Sequence, residues 1–332
     1  MNKPVLSDIT LEIINRCQLR CRMCGIGREP VARQLSASAV VAIFQRLSSA
    51  FRIRGVSLTG GEPFLHPEIE RMLEYFSVWR QGDRGLRVGI YTNGIETGRI
   101  ARLLEKNCLL WRGMEFGISL DGMETTHDRI RGRGAFRRTL ETVQLLAGKY
   151  NGFFPAEIKF TITSLNYREL EAVYDLARQH GLRFSPKLVE EGVTNYYHRG
   201  GRSGRSGRIS IHARQKPALQ RMLQTIMARE RRSRQRSVDL KLLSLLWRLV
   251  EGGKERIVRC DTPARCLFVT SRGEIYPCLY MEPAGTIYNL GSGWAEIGQR
   301  RQELAAAGRE GRCPGCLAYH GFLKEFNSKY IA

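Results

Sequence analysis

Six short β-rich runs lie within about 190 residues of this sequence, and each of the first five leads through a glycine or polar turn towards a helical pattern. Residues 5–14, 55–60, 86–94, 114–122, 156–163 and 182–189 are the strand candidates. Helical patterns follow at 36–50, after Pro67, and near 98–107, 136–149 and 167–180. Ser36 is placed to cap the first helix, and Pro67 suits the first turn of the second. Strands that alternate with helices imply a parallel sheet with its helices outside. The expected fold class is α/β, a partial (β/α)6 TIM-like barrel, and active residues in such folds gather at the C-terminal ends of the strands.

After residue 190 the pattern changes. Residues 196–210 form a Gly/Ser/Arg run with Arg199, Arg202, Arg205 and Arg208 spaced by three, and helical patterns follow at 212–233 and 238–250. A cysteine-rich tail begins near 255. The expected division is therefore 1–195 as the barrel core, 196–254 as a basic loop and helical linker, and 255–332 as a small cysteine-rich module. The first residues lack a basic stretch followed by a long apolar run, so no signal peptide is expected. No window approaches 18 uninterrupted apolar residues, so no membrane span is expected either. Nine cysteines in such a chain point to metal sites in a reducing cytoplasm rather than to a disulfide framework. They fall in two groups at opposite ends, with Cys108 apart as an expected buried thiol.

The first group is Cys17, Cys21 and Cys24. Three thiolates within eight residues suit an iron–sulfur cluster or zinc. Structural zinc usually takes four ligands. A 4Fe–4S cubane held by three cysteines leaves one iron open to an external ligand. The CxxxCxxC spacing directly after the first strand resembles the signature of the radical SAM superfamily, with Met23 where an aromatic residue is common. The resemblance implies that the open iron takes S-adenosylmethionine, whose reductive cleavage yields a 5′-deoxyadenosyl radical that abstracts a substrate hydrogen. Leu58-Thr59-Gly60-Gly61-Glu62-Pro63 at the end of the second strand is similar to the family's GGEP motif. Its backbone and carboxylate are thereby implied to hold the methionyl amino group. Asn93, Ser119 and Asp121, after the third and fourth strands, resemble segments lining the S-adenosylmethionine or substrate pocket. Arg131 follows as a candidate bidentate partner for a carboxylate.

The second group is Cys260, Cys266, Cys278, Cys313 and Cys316. It resembles the SPASM or twitch module behind some radical SAM barrels, a β-hairpin and short helix holding further 4Fe–4S clusters. The full SPASM pattern has seven cysteines. Five imply one auxiliary 4Fe–4S cluster, with four ligands and one spare. A zinc ribbon is the alternative for these residues.

The net charge is +21, from 53 basic and 32 acidic residues. About half comes from residues 194–236, where 12 Arg and Lys face one acidic residue, Glu230. Such an excess suits an anionic partner: an acidic leader peptide, a phosphate, or an acidic electron donor of flavodoxin or ferredoxin type. The leading expectation is a radical SAM enzyme that oxidises, crosslinks or epimerises a ribosomally made peptide or natural-product intermediate. A twitch-type sugar or aminocyclitol dehydrogenase or epimerase is the second. A basic zinc protein that binds nucleic acid or modifies RNA is the third. No RNA-binding signature or aromatic-interleaved basic stretch is present, so nucleic acid is not expected as the partner.

Overall fold

The computed structural model describes residues 3–26, 29, 31–83, 85–189, 209–251, 262–279, 283–289, 299 and 302–303. The Arg-rich run at 199–208 and Cys260, Cys313 and Cys316 lie outside these residues.

The chain opens with β1 (Val5–Leu6) and β2 (Asp8–Ile14), followed by α1 (Ala37–Ala50), β3 (Arg52–Ile53) and β4 (Gly55–Gly60). It continues with α2 (Ile69–Gly82), β5 (Arg87–Thr92), α3 (Thr97–Asn107) and β6 (Glu115–Ser119). Next come α4 (Glu124–Arg131), α5 (Ala135–Ala147), β7 (Ala156–Ile162), α6 (Leu170–Gln179) and β8 (Arg183–Leu188). Two longer helices follow, α7 (Lys216–Arg232) and α8 (Leu240–Glu251). The described tail holds the short α9 (Thr262–Arg265), β9 (Cys266–Val269), β10 (Glu274–Tyr276) and β11 (Gly285–Thr286).

This is a mixed α/β fold around one nine-stranded sheet, ordered β11-β10-β9-β2-β4-β5-β6-β7-β8. The strands from β9 across to β8 are parallel neighbours, and β10 runs antiparallel to both β9 and β11. Among the described residues β8 pairs only with β7, and no strand joins the two edges. Side chains from β2 and from β8 nevertheless line one cavity, so the sheet curves around it.

All six expected strands form, with two differences. Residues 5–14 break at Ser7, because Val5 and Leu6 pair with β3 while Ile9 onward pairs with β4. The Ser7 N–H at the break donates to Arg265 O at 2.7 Å. The second difference is α4, which occupies the polar stretch expected to be a turn. It is stopped by Gly132, whose φ of 143° lies in the region that favours glycine. Ser36 caps α1 as expected, its hydroxyl accepting from Ala39 N–H at 3.1 Å.

The strands bury their alternate residues in two different ways. On β5, Val88 and Ile90 are fully buried against the helices. Helix α1 answers from its own face with Val40, Ile43, Phe44 and Leu47, at the spacing of a helix stripe. Phe44 meets Phe76 of α2 edge to face at 5.1 Å. The opposite residues of the strands, Arg87, Gly89 and Tyr91 on β5, point the other way. Register aligns them with polar or small neighbours, in the rows Ser57–Gly89–Glu115, Tyr91–Gly117–Glu157 and Ser119–Lys159–Ser185. The sheet therefore has an apolar convex face under helices and a polar concave face around a cavity.

Candidate active site

The cavity measures about 370 Å³. Cys17, Cys21 and Cys24 all open onto it, and so do Gly60, Gly61, Asn93, Ser119 and Arg131. These residues come from five separate segments, and they meet because each segment leaves the same end of a parallel sheet. Glu62 and Asp121 do not line the cavity. Both are fully buried behind it.

The cysteine loop is pinned by the end of β4. Gly61 N–H donates to Ile14 O at 2.7 Å, and Glu62 N–H to Arg16 O at 2.9 Å. A Cβ on Gly61 would stand 2.7 Å from Asn15 O and collide with the Arg16 carbonyl, so only glycine permits this approach. The paired glycines thus bring the strand end against the loop carrying the cysteines. On the other side, Arg22 N–H donates to Ile130 O of α4 at 2.9 Å.

Asp121 and Arg131 form a buried ion pair, Arg131 Nε to Asp121 Oδ2 at 2.7 Å. Thr161 N–H donates to the other carboxylate oxygen at 2.6 Å. The free arm of the guanidinium stands 4.0 Å from Cys21 Sγ. Burial works against the Arg131 charge. Asp121 nevertheless holds the guanidinium further above its usual range, together with Cys21 and Cys24. His127, a fully buried residue of α4, accepts from Asp121 N–H at 3.0 Å through Nδ1. Burial, with Arg131 nearby, lowers it to about 3, so it stays neutral at ordinary pH.

The donor set fits an iron–sulfur cluster. Burial pushes the Cys17 thiol up to about 12, and Glu62, Cys21 and Cys24 add to the rise. A thiol held in this way becomes a thiolate only against a cationic group, which a cluster of iron ions would supply. Among the described residues no three Cys, His, Asp or Glu side chains are drawn closely enough to hold an ion by themselves. The fit therefore rests on ligand type, shared wall and the cation at Arg131.

Reasoning from motifs missed the deeper part of the cavity. Asp8, Arg87 and Glu115, at the N-terminal ends of their strands, also line it, as do Lys159, level with Ser119, and Lys187. The Lys159 ammonium lies 2.6 Å from Glu157 Oε1 and 5.2 Å from the centre of the Tyr91 ring. The strict polar–apolar alternation of β4 to β8 was the signal available.

The tail contributes a wall. Phe268 of β9 and Leu279 line the cavity. Phe268 and Tyr276 form an apolar cluster with Ile26, against which Cys24 and Leu279 pack. The β9–β10 ladder pairs Val269 with Ile275 and Phe268 with Tyr276. β10 ends at Tyr276, two residues short of Cys278, and Cys266 and Cys278 are both buried. Cys266 is also level with Asp8 at the start of β2. The cysteine loop leaves the far end of that strand, roughly 20 Å away at about 3.3 Å per residue.

The Radical SAM superfamily matches residues 11–179, and the chain belongs to it. Over 175 residues it is 28% identical to the sporulation killing factor maturation protein SkfB of Bacillus subtilis, covering 52% of this chain and 40% of that protein. The AdoMet-dependent heme synthase of Methanosarcina barkeri is 32% identical over 186 residues, covering 54% and 49%. The subtilosin biosynthesis protein AlbA of Bacillus subtilis is 26% identical over 198 residues, covering 57% and 40%. The chain thus spans less than half the length of each of these relatives. Among solved structures, anSMEcpe with bound AdoMet superimposes with a TM-score of 0.66 at 17% identity, covering 98% of this chain and 97% of that one. Streptococcus suis SuiB bound to S-adenosylmethionine gives 0.62 at 16%, covering 96% and 68%. These likenesses show the fold. Among the described residues no helix is long and apolar enough to cross a membrane.

Proposed function

We propose that this protein reductively cleaves S-adenosylmethionine and uses the resulting 5′-deoxyadenosyl radical to modify a ribosomally made peptide. The observation that carries the reading is the convergence of Cys17, Cys21 and Cys24 with Asn93 and Arg131 on one cavity. A 4Fe–4S cluster held by the three cysteines supplies the electron for the cleavage. Gly60, Gly61, Asn93, Ser119 and Arg131 hold S-adenosylmethionine from the cavity wall, Arg131 taking its carboxylate. Asp121 acts on it from behind, through its ion pair with Arg131. The polar lower cavity receives the substrate and shuts bulk water out of the radical step.

Four of Cys260, Cys266, Cys278, Cys313 and Cys316 hold one auxiliary 4Fe–4S cluster, in a module spanning 255–332. The described part of that module, β9 and β10, already extends the sheet of the 1–195 core. The basic 196–254 segment binds an acidic peptide or a flavodoxin or ferredoxin-type donor in the cytoplasm. Support for a peptide substrate comes from the names of SkfB and AlbA and from a SuiB structure bound to its precursor peptide SuiA. The second reading is oxidation or epimerisation of a sugar or aminocyclitol, and the name of the heme synthase relative supports it only in being a non-peptide activity.

The test is anaerobic reconstitution followed by iron and sulfide analysis. Release of 5′-deoxyadenosine is then measured with dithionite, alone and with short peptides encoded beside the gene. Iron bound with nucleoside released supports the reading, and a mass change on a peptide selects the substrate class. Zinc in place of iron, with no nucleoside, overturns it.

A further inference from the structure

Glu62 is the acid of the GGEP run, and the resemblance gives its carboxylate to the methionyl ammonium of S-adenosylmethionine. Its surroundings point to different work. Glu62 is fully buried, and donors from the chain take three of the four acceptor positions of its carboxylate. Oε1 accepts from Phe64 N–H at 3.1 Å and from the Thr92 hydroxyl at 2.8 Å. Oε2 accepts from Asn93 N–H at 2.8 Å. A carboxylate bound in this way has little to offer a ligand in the cavity in front of it.

What it holds is Asn93, and every polar group of that residue is fixed. The backbone N–H is on Glu62, and the carbonyl accepts from the Thr139 hydroxyl at 2.8 Å. Oδ1 accepts from Ile95 N–H at 3.0 Å, which settles the orientation of the carboxamide. Nδ2 is therefore the group facing the cysteine loop, 3.3 Å from Gln18 Oε1 and 3.7 Å from Cys17 Sγ.

We propose that Glu62 is a positioning residue: it fixes the end of β5 so that the Asn93 carboxamide donates to the Cys17 sulfur. The inference rests on Cys17 as a cluster ligand. An N–H donated to a ligating thiolate withdraws charge from it and raises the reduction potential of the cluster. Glu62 therefore tunes the cluster through Asn93 and leaves the methionyl ammonium to other groups.

The experiment compares reconstituted wild type, Glu62→Gln, Asn93→Ala and the double variant. Gln presents its amide N–H₂ where Asn93 N–H needs an acceptor, or else to Phe64 N–H and Thr92. The cluster midpoint potential is titrated under EPR without S-adenosylmethionine, and the dissociation constant of S-adenosylmethionine is measured by equilibrium dialysis. Asn93→Ala lowers the potential. Glu62→Gln also removes a negative charge, which raises the potential with or without Asn93. Lost positioning is therefore read as a Glu62→Gln shift that is more negative in the wild type than in the Asn93→Ala background, and Glu62→Gln holds affinity within about threefold of wild type. A loss of about tenfold or more in affinity for Glu62→Gln at unchanged potential overturns the proposal, as do additive shifts. If Glu62→Gln does not fold, Thr92→Val replaces it. That variant removes one donor to Oε1 and lowers the potential by less, and an unchanged potential overturns the proposal. Failure of the wild type to take up iron is seen before any variant is compared, and it overturns the cluster reading itself.

Discussion

Two glycines on the concave face respond in opposite directions to the same added methyl group. A Cβ on Gly89 meets nothing nearer than Glu115 O and Ser57 Oγ, both at 3.9 Å, and points into the cavity. Gly89 also lies in the interior of β5, where any residue adopts the backbone. Gly89→Ala therefore stabilises the protein by about 0.4–1 kcal/mol, by restricting the unfolded chain. On Gly117 of β6 the same atom collides with the Tyr91 ring, with Cε1 at 2.7 Å. That ring is held beneath the Lys159 ammonium, so it must tilt into the cavity and loosen the contact. Gly117→Ala destabilises by about 1–3 kcal/mol, the usual cost of overpacking. Urea unfolding of the two apo variants gives both values from the midpoint shift at constant slope. A destabilised Gly89→Ala, or a neutral Gly117→Ala, would refute the assignment of these strand faces. Enlargement to Gly89→Leu then fills the lower cavity from a site that tolerates it. Deoxyadenosine release without substrate persists in that variant while substrate turnover falls.

Arg131→Met leaves Asp121 buried without its ion-pair partner and costs about 3–5 kcal/mol, read by urea unfolding. A cost near zero means that the pair is not buried as described. His127 is lowered in the folded state, so the unfolded chain binds more protons between pH 6.5 and 3. Stability is thus complete above pH 6.5 and is lost on acidification through that window, by on the order of 4 kcal/mol. His127→Gln flattens the slope, and an unchanged slope assigns acid sensitivity to other groups. Extending the β9–β10 register two residues past Tyr276 brings Cys266 level with Cys278, so mild oxidation of the apo protein is expected to link them, cross-strand partners lying about 4.5–5.5 Å apart. Mass spectrometry of a non-reduced digest detects the linked peptide, and recovery of both thiols under full oxidation argues against the ladder register.

The strand–helix alternation was legible because each unit is local: Ser36 caps α1, and the apolar stripe of α1 meets α2 across one connection. The cysteine loop, the glycines closing β4 and Asn93 were legible for the same reason, each standing at a strand end, whereas Arg131 was read as part of a turn and ends helix α4. The lower cavity was not. Arg87, Glu115 and Lys159 alternate with apolar residues, and such alternation reads equally well as a strand with one solvated face. Only the curvature of the sheet from β2 to β8 around a cavity turns that face inward. Residue type could not say that Glu62 and Asp121 face the chain while Arg131 faces the cavity. Nor could any local pattern announce that β9 lies beside β2, because that pairing joins distant parts of the chain.

That pairing governs how the protein is made. Ser271, just beyond β9, bonds to Glu12 of β2 across 259 residues of sequence. At about 5–20 residues per second, a ribosome takes roughly 13 to 50 s to travel between them. Throughout that interval the outer edge of β2 has no neighbour, and Cys24 and Ile26 lack the apolar cover that Phe268 and Tyr276 bring. Newly made thiols wait uncovered, open to iron–sulfur carriers and to oxidants alike. The final wall arrives late enough to close over a cluster already delivered.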